Sequence, residues 1–209
     1  MKKLQSTLPN MLLSLMFTCV ASGVILAGVN KYTAGPIALS KAEALEKAIR
    51  EVTPEFDNDP LGEAYKGVSF DGDSLLIYPA VKDGQTVGVA VDSYTKNGFS
   101  GEIKIIVGFD TGGTLINYSV LQHAETPGLG SKMDVWFRTD KNRQSVIGRS
   151  LAAGYLSVTK DGGDVDAITA STITSRAFLN AINRAYSAYK GTGADATTGA
   201  TTKEGGNNE

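Results

Sequence analysis

Cysteine and histidine are almost missing from this chain, which has one of each, Cys19 and His123. A single cysteine closes no internal disulfide and cannot supply the roughly four thiolates of an iron–sulfur cluster; no C-x-x-C-H haem attachment occurs either. His123, with Glu125 as its nearest acid, falls short of the roughly three or more protein ligands that a metal site needs. No Ser-His-Asp arrangement stands out. Neither sign of charge is in excess: 20 Lys and Arg face 22 Asp and Glu, for a net charge of -2 and a pI of about 5.5. A whole-chain basic field is therefore missing, and no nucleic-acid partner is expected. If such a chain handles electrons, it needs an organic cofactor held without cysteine.

Charge is also absent locally. From Leu4 to Asn30 there is no Asp, Glu, Lys or Arg, and the run Met11 to Val29 has about the length that crosses a ~30 Å hydrocarbon layer as a helix. A cleaved signal peptide would have a shorter apolar core, about 7 to 15 residues, followed by an A-x-A-like site, which is not found. Cys19 follows Met16-Phe17-Thr18, a poor match to a lipoprotein box. An uncleaved span over residues 9–30 is expected, with residues 1–8 cytoplasmic. Lys2 and Lys3 precede the span and only Lys31 follows closely, so the positive-inside bias directs residues 31–190 to the periplasmic side of a cell inner membrane.

Beyond the span the chain reads as an α+β domain. Ser40-Lys41-Ala42-Glu43 has the form of a capping box, and Leu45, Ala48, Ile49 and Val52 come after it at helical spacing up to Pro54, which predicts a short amphipathic helix. Residues 75–82 and 85–95 flank Asp83-Gly84, a two-residue hairpin signal. Residues 102–109 and 114–121 repeat the pattern around Asp110-Thr111-Gly112-Gly113. Two hairpins in succession predict an antiparallel sheet. A second helix, from about Ser171 to Lys190, would put Ile173, Phe178, Ile182, Ala185 and Tyr189 near one face, with Gly191 as its C-terminal cap. That helix should cover the sheet. Residues 191–209 have no large apolar side chain and are expected to be disordered.

Two segments could carry chemistry. Gln122 to Gly130 (QHAETPGLG) leaves a predicted strand; Pro127-Gly128 favours a type II turn, and Gly128 and Gly130 allow close backbone approach. Its plainest reading is a turn with a satisfied lone histidine. Asp164 to Arg176 (DVDAITASTITSR) runs from a short apolar stretch through five hydroxyls into the second helix. Thr169, Ser171 and Thr172 are each candidate N-caps. One cap needs one hydroxyl, however, and the free N–H groups of a helix start also favour a phosphate.

Together these segments resemble the covalent FMN-binding domain found in the G subunit of the Rnf complex and in the related C subunit of the sodium-translocating NADH:quinone reductase. The family's H-x-E-T-P-G-L-G loop is matched by His123, Glu125, Thr126, Pro127, Gly128, Leu129 and Gly130. Its D-x-x-[S/T]-G-A-T-x-[S/T] motif is matched by Asp166, Thr169, Thr172 and Thr174, while Ala170 and Ser171 stand where the family has Gly and Ala. The likeness extends over roughly residues 1–190.

The resemblance implies an electron-carrier subunit of a membrane-bound ion-translocating complex, without independent activity. Its FMN would be esterified to Thr172 by a separate flavin transferase, and its partners would be the other subunits. Glu125, Thr126, Gly128, Leu129, Thr169, Ala170, Ser171 and Thr174 would surround the cofactor, with Lys132 a weaker candidate. Asp195 to Thr202 contains a second match to the acceptor motif, centred on Thr201, but lacks a predicted strand before it and a helix after it. A quinone-reductase C subunit, or a membrane-anchored flavin-binding sensor module, is the alternative.

Overall fold

In a computed structural model, residues 7–191 are described. The chain divides into two units, Met1–Ala44 and Leu45–Glu209. Helix α1 (Leu8–Val52) contributes to both. Its N-terminal part is long and apolar enough to cross a membrane, and its most apolar window is not buried against protein. Leu12, Phe17, Val20, Ile25 and Leu26 are all exposed. An apolar surface of that kind is what lipid would cover, as in a single-pass membrane protein.

The helix corrects one sequence expectation. Ser40 does not begin a separate helix, because α1 runs unbroken through Pro36 and Ser40 to Val52. Ser-x-x-Glu spacing caps a helix only when the preceding residues leave the helical conformation, and here Ile37, Ala38 and Leu39 continue it. The amphipathic stripe itself lies where the spacing puts it. Ala48, Ile49 and Val52 are buried and pack with Tyr78, Ala90 and Ile106.

The second unit is built on a five-stranded antiparallel meander, β1 (Tyr65–Val68), β2 (Ser74–Lys82), β3 (Gln85–Thr95), β4 (Ile103–Asp110) and β5 (Leu115–Gln122), whose spatial order equals chain order. Both predicted hairpins are present. Lys82 pairs with Gln85 across Asp83-Gly84, and both turn residues have positive φ, 52° and 75°, as a type I′ turn requires. The edge strand β1 has no counterpart among the predicted elements. The alternation of side chains gives the sheet two apolar faces. One meets the C-terminal turns of α1 at Gly108, where a Cβ would lie 1.7 Å from the Val52 carbonyl oxygen. The other meets the long C-terminal helix (Thr172–Lys190), which is α3.

The main core lies between the sheet and α3. Ile77, Val91, Ile105, Val107 and Phe109 face Ala177, Phe178, Ala181, Ile182 and Ala185. Phe137 stacks on Phe178 with ring centroids 4.6 Å apart, and Tyr118 meets the same ring edge-on at 4.8 Å. Phe137 follows the short helix α2 (Met133–Trp136). Burying side chains of this size contributes about 1.5 to 3 kcal/mol each, which makes this cluster the anchor of the helix. Hydrogen bonds fix its position along the sheet: Ser93 Oγ donates to the Ala181 carbonyl at 2.7 Å, and Asn183 makes two bonds of 2.9 Å with the backbone of Leu156. Gly191 ends α3 in the left-handed conformation, φ 66°, as predicted. Residues beyond it, including Thr201, lie outside the described part of the chain.

Candidate functional site

The N-terminus of α3 is placed by packing further along the helix, and the segment before it must then reach that point from the sheet side. It does so through a turn in which Ser171 N–H donates to the Ile168 carbonyl at 2.9 Å. Ala170, third in that turn, has φ 63°, a conformation that costs a residue with a Cβ roughly 1 kcal/mol. Ser175 braces the turn from within. Its hydroxyl accepts from Ile168 N–H and donates to the Ser171 carbonyl, both at 2.9 Å. Trp136 Nε1 donates to the Asp166 carbonyl at 2.8 Å and ties the incoming segment to α2.

The other wall is the loop after β5. Leu129 N–H donates to the Thr126 carbonyl at 3.1 Å and Gly128 has φ 76°, so Pro127-Gly128 forms the expected type II turn. His123 is used locally: its Nδ1 accepts from Glu125 N–H at 3.1 Å. Glu125 is only 4% exposed. Its carboxylate accepts from Thr174 Oγ1 at 2.6 Å and from Ser100 N–H at 3.0 Å. One acid thereby joins three segments, the loop after β5, the loop after β3 and the first turn of α3. A charged acceptor strengthens such bonds and makes losing one costly in a buried setting.

These walls enclose a cavity of about 290 Å³, lined by Phe99, Glu125, Thr126, Leu129 and Gly130 on one side and Ala170 to Thr174 on the other. Seven of the residues expected at a site meet there: Glu125, Thr126, Leu129, Ala170, Ser171, Thr172 and Thr174. Gly128 and Thr169 belong to the flanking turns and are not part of the lining, nor is Lys132. Three lining residues fall outside the expected set. Phe99 is an exposed aromatic between Gly98 and Ser100, a pattern that is itself a signal in sequence. Gly130 belongs to the loop motif but not to the residues implied to surround the cofactor. Ile173, expected near the sheet-facing side, is 50% exposed while Thr174 and Ser175 beside it are buried, because it precedes Phe178 by five residues, about 140° away around the helix.

The chemistry of the cavity is divided. Phe99, Leu129 and Ile173 are 67%, 41% and 50% exposed and offer apolar surface at its mouth. Ser171 occupies the N-cap position, yet its side chain makes no capping bond, so that hydroxyl leaves the first-turn N–H groups without a cap. Thr172 is half-buried beside them, and its Oγ1 accepts from Lys160 Nζ at 3.2 Å. Arg176, one turn further on, is held by Asp161 through two hydrogen bonds of 2.8 and 2.6 Å. The Asp161 carboxylate raises the already high pKa of that guanidinium, as expected of an ion pair. The arrangement suits a ligand with a flat apolar part and an anionic end. FMN has both features, an isoalloxazine ring and a phosphate.

Comparison with known proteins agrees. Residues 98–187 match the FMN-binding domain family, a span that begins at the Phe99 loop and ends in α3. The chain is 35% identical over 177 residues to the G subunit of the ion-translocating oxidoreductase complex of Vibrio vulnificus, covering 80% of this chain and 82% of that one. The proteins of the same name from Cereibacter sphaeroides and Shewanella baltica are 34% and 31% identical, covering 81% of this chain and 78% and 83% of theirs. Alignments of this length take in most of each protein. By its sequence, and by a cavity whose lining suits FMN, the chain belongs to the family of G subunits of the ion-translocating oxidoreductase complex.

Proposed function

We propose that this protein is the electron-carrier subunit of a membrane-bound, ion-translocating oxidoreductase complex, and that it holds FMN covalently on Thr172. The bound isoalloxazine supplies the redox chemistry, accepting and giving up electrons; the protein binds, orients and retains it. Phe99, Leu129 and Ile173 would hold the ring, and the open mouth of the cavity would leave it within reach of a redox partner. Glu125 and Thr174 hold the two walls together. The observation that carries the reading is Thr172 itself, a half-buried hydroxyl at the uncapped start of a long helix and at the edge of an apolar cavity.

A phosphodiester does not form usefully from FMN and a threonine hydroxyl in water, because the leaving group would be hydroxide. An anhydride donor such as flavin adenine dinucleotide is required, with a separate flavin transferase. Thr172 Oγ1 forms a bond to the flavin-side phosphorus as the anhydride P–O bond breaks. The nucleoside monophosphate leaves with the electron pair, and the hydroxyl proton passes to a base of the transferase. No oxidation state changes. The product keeps one negative charge, which first-turn N–H groups stabilise by about 0.3 to 1 kcal/mol. With Lys2 and Lys3 ahead of the uncharged span, the domain stands on the periplasmic side, where a cofactor held only by a micromolar site, about -8 kcal/mol, would be lost by dilution. The ester prevents that loss.

Replacing Thr172 tests the tether. Full-length protein made together with a flavin transferase should show in-gel flavin fluorescence after denaturation, as should Thr201→Ala. Thr172→Ala should fold, losing no more than about 0.5 to 2 kcal/mol, and should be dark. Covalent flavin mapped to Thr201 or Thr174 in that variant would reject the assignment. Wild-type protein without covalent flavin, beside a modified control, would reject the tether altogether.

A further inference from the structure

Lys160 belongs to neither sequence motif, yet its ammonium reaches the hydroxyl proposed as the tether, at 3.2 Å. It sits in the 3-10 turn Thr159–Asp161. That turn is fixed from both sides. Thr159 N–H donates to the Val165 carbonyl at 2.9 Å and Asp161 N–H to the Val158 carbonyl at 2.9 Å, while Gly162, at φ 84°, closes the turn. The Asp161–Arg176 fork then ties the turn to α3 one helical turn beyond Thr172. Arg176 is thus occupied by Asp161, whereas Lys160 Nζ donates to a neutral hydroxyl. An ammonium gains little from a neutral acceptor compared with an anionic one. The second, independent feature at this point is the apolar cavity beside the uncapped first turn.

We propose that Lys160 is a cofactor-binding residue whose ammonium pairs with the phosphate group attached to Thr172 Oγ1, both during esterification and in the finished flavoprotein. The inference rests on Thr172 being the tether. During transfer, the hydroxyl's bond to phosphorus forms and the anhydride bond breaks as described above; Lys160 gains and loses no proton and serves as a fixed positive charge next to the phosphoryl oxygens. Asp161 and Arg176 act as positioning residues that keep the turn in reach. The ligand chemistry is a flavin nucleotide phosphate, not free inorganic phosphate, because Thr172 itself lines the apolar cavity.

Full-length wild type, Lys160→Met, Lys160→Arg and Lys160→Glu would be incubated in detergent with purified flavin transferase and flavin adenine dinucleotide. Initial rates are read as in-gel fluorescence at about 0.05 M and about 0.5 M salt. Lys160→Met should slow esterification about five-fold at low salt, as expected for one partly exposed charge-assisted contact. Lys160→Glu should slow it further, Lys160→Arg should restore most of the rate, and high salt should narrow the gap between wild type and Lys160→Met. Thermal midpoints of the flavin-free proteins should coincide.

A second readout removes the transferase. In wild type, the Lys160 amine should react several-fold more slowly with an acylating reagent after flavinylation than before, with exposed Lys132 as internal control. A wild-type rate in Lys160→Met, or unchanged Lys160 reactivity on flavinylation, overturns the proposal while the Thr172 adduct stands. A loss that arginine does not restore and salt does not alter assigns Lys160 to packing and likewise overturns it. Absence of a Thr172 adduct in wild type removes the tether first, and this inference with it.

Discussion

The two ends of α3 solve the same backbone problem with different residues. At the C-terminal end Gly191 takes φ 66° and its N–H donates to the Ser187 carbonyl at 2.8 Å. Lys190 Nζ donates to the Thr111 carbonyl at 2.9 Å, and Tyr189 stacks near Phe109. That end is closed by glycine, a cation and an aromatic ring, the first two each suited to a helix C-terminus. At the N-terminal end the left-handed residue is Ala170, φ 63°, and Ser171 gives no cap. The less comfortable residue and the missing cap fall together, beside the cavity. Unrelieved backbone strain and unmet N–H groups collect where a ligand is proposed to complete the structure, which is the usual location for both.

The strongest way to break this contrast is to fill the open end. Gly130 is buried, and a Cβ there would lie 2.5 Å from Glu125 Oε2, 2.9 Å from Glu125 Cβ and 2.8 Å from Thr174 Oγ1. Gly130→Ala must therefore displace the acid that joins the three walls. Overpacking of this kind costs typically 1 to 3 kcal/mol, and we expect about 2 to 3 here because buried hydrogen bonds are disturbed as well. Chemical denaturation of the flavin-free protein in detergent measures the loss. Covalent flavin incorporation should fall with it; an unaffected midpoint would mean that the Glu125–Thr174 contact does not hold the site together.

Much of this architecture is legible in the sequence because its signals are local. Asp83-Gly84 fixes a hairpin with two adjacent residues, and Pro127-Gly128 fixes a turn in the same way. Leu45, Ala48, Ile49 and Val52 read as a buried stripe from spacing alone. The hidden parts depend on residues distant in sequence. β1 is four residues long with a glycine inside it, a pattern that argues against a strand until α3 is present. Its Gly67 is needed because a Cβ would sit 2.4 Å from the Ala188 carbonyl oxygen. Phe99 reaches the cavity, and Lys160 the Thr172 hydroxyl, from loops far from α3 in sequence, and no periodicity connects such residues. The FMN resemblance names most of the cavity's lining, and the structure adds Phe99, Gly130 and Ile173.

The closed end offers a smaller effect. Gly191→Ala puts a Cβ into a left-handed position with open space around it, so the cost is backbone strain without collision, about 1 kcal/mol. The variant should unfold at correspondingly lower denaturant and should accept flavin at the wild-type rate. A selective loss of flavinylation at unchanged stability would show that the two ends are coupled, contrary to the division between them.

The smallest expected effect runs in the opposite direction and tests the contrast most directly. Ala170→Gly removes a Cβ from φ 63° and relieves roughly 1 kcal/mol of strain. Part of that gain is cancelled because glycine makes the unfolded chain more flexible, leaving a net stabilisation of about 0.5 kcal/mol in the flavin-free protein. That is close to the resolution of a careful denaturation comparison. Flavinylation gives a second measure. If the strain holds Ser171 and Thr172 in a geometry that suits the transferase, the more stable variant should be modified no faster than wild type. If alanine is simply a poorer occupant, the variant should be both more stable and more rapidly modified, because this position in the family's acceptor motif is ordinarily glycine. A loss of stability in Ala170→Gly would mean that the turn before α3 is not strained, and that its two ends differ only in their capping.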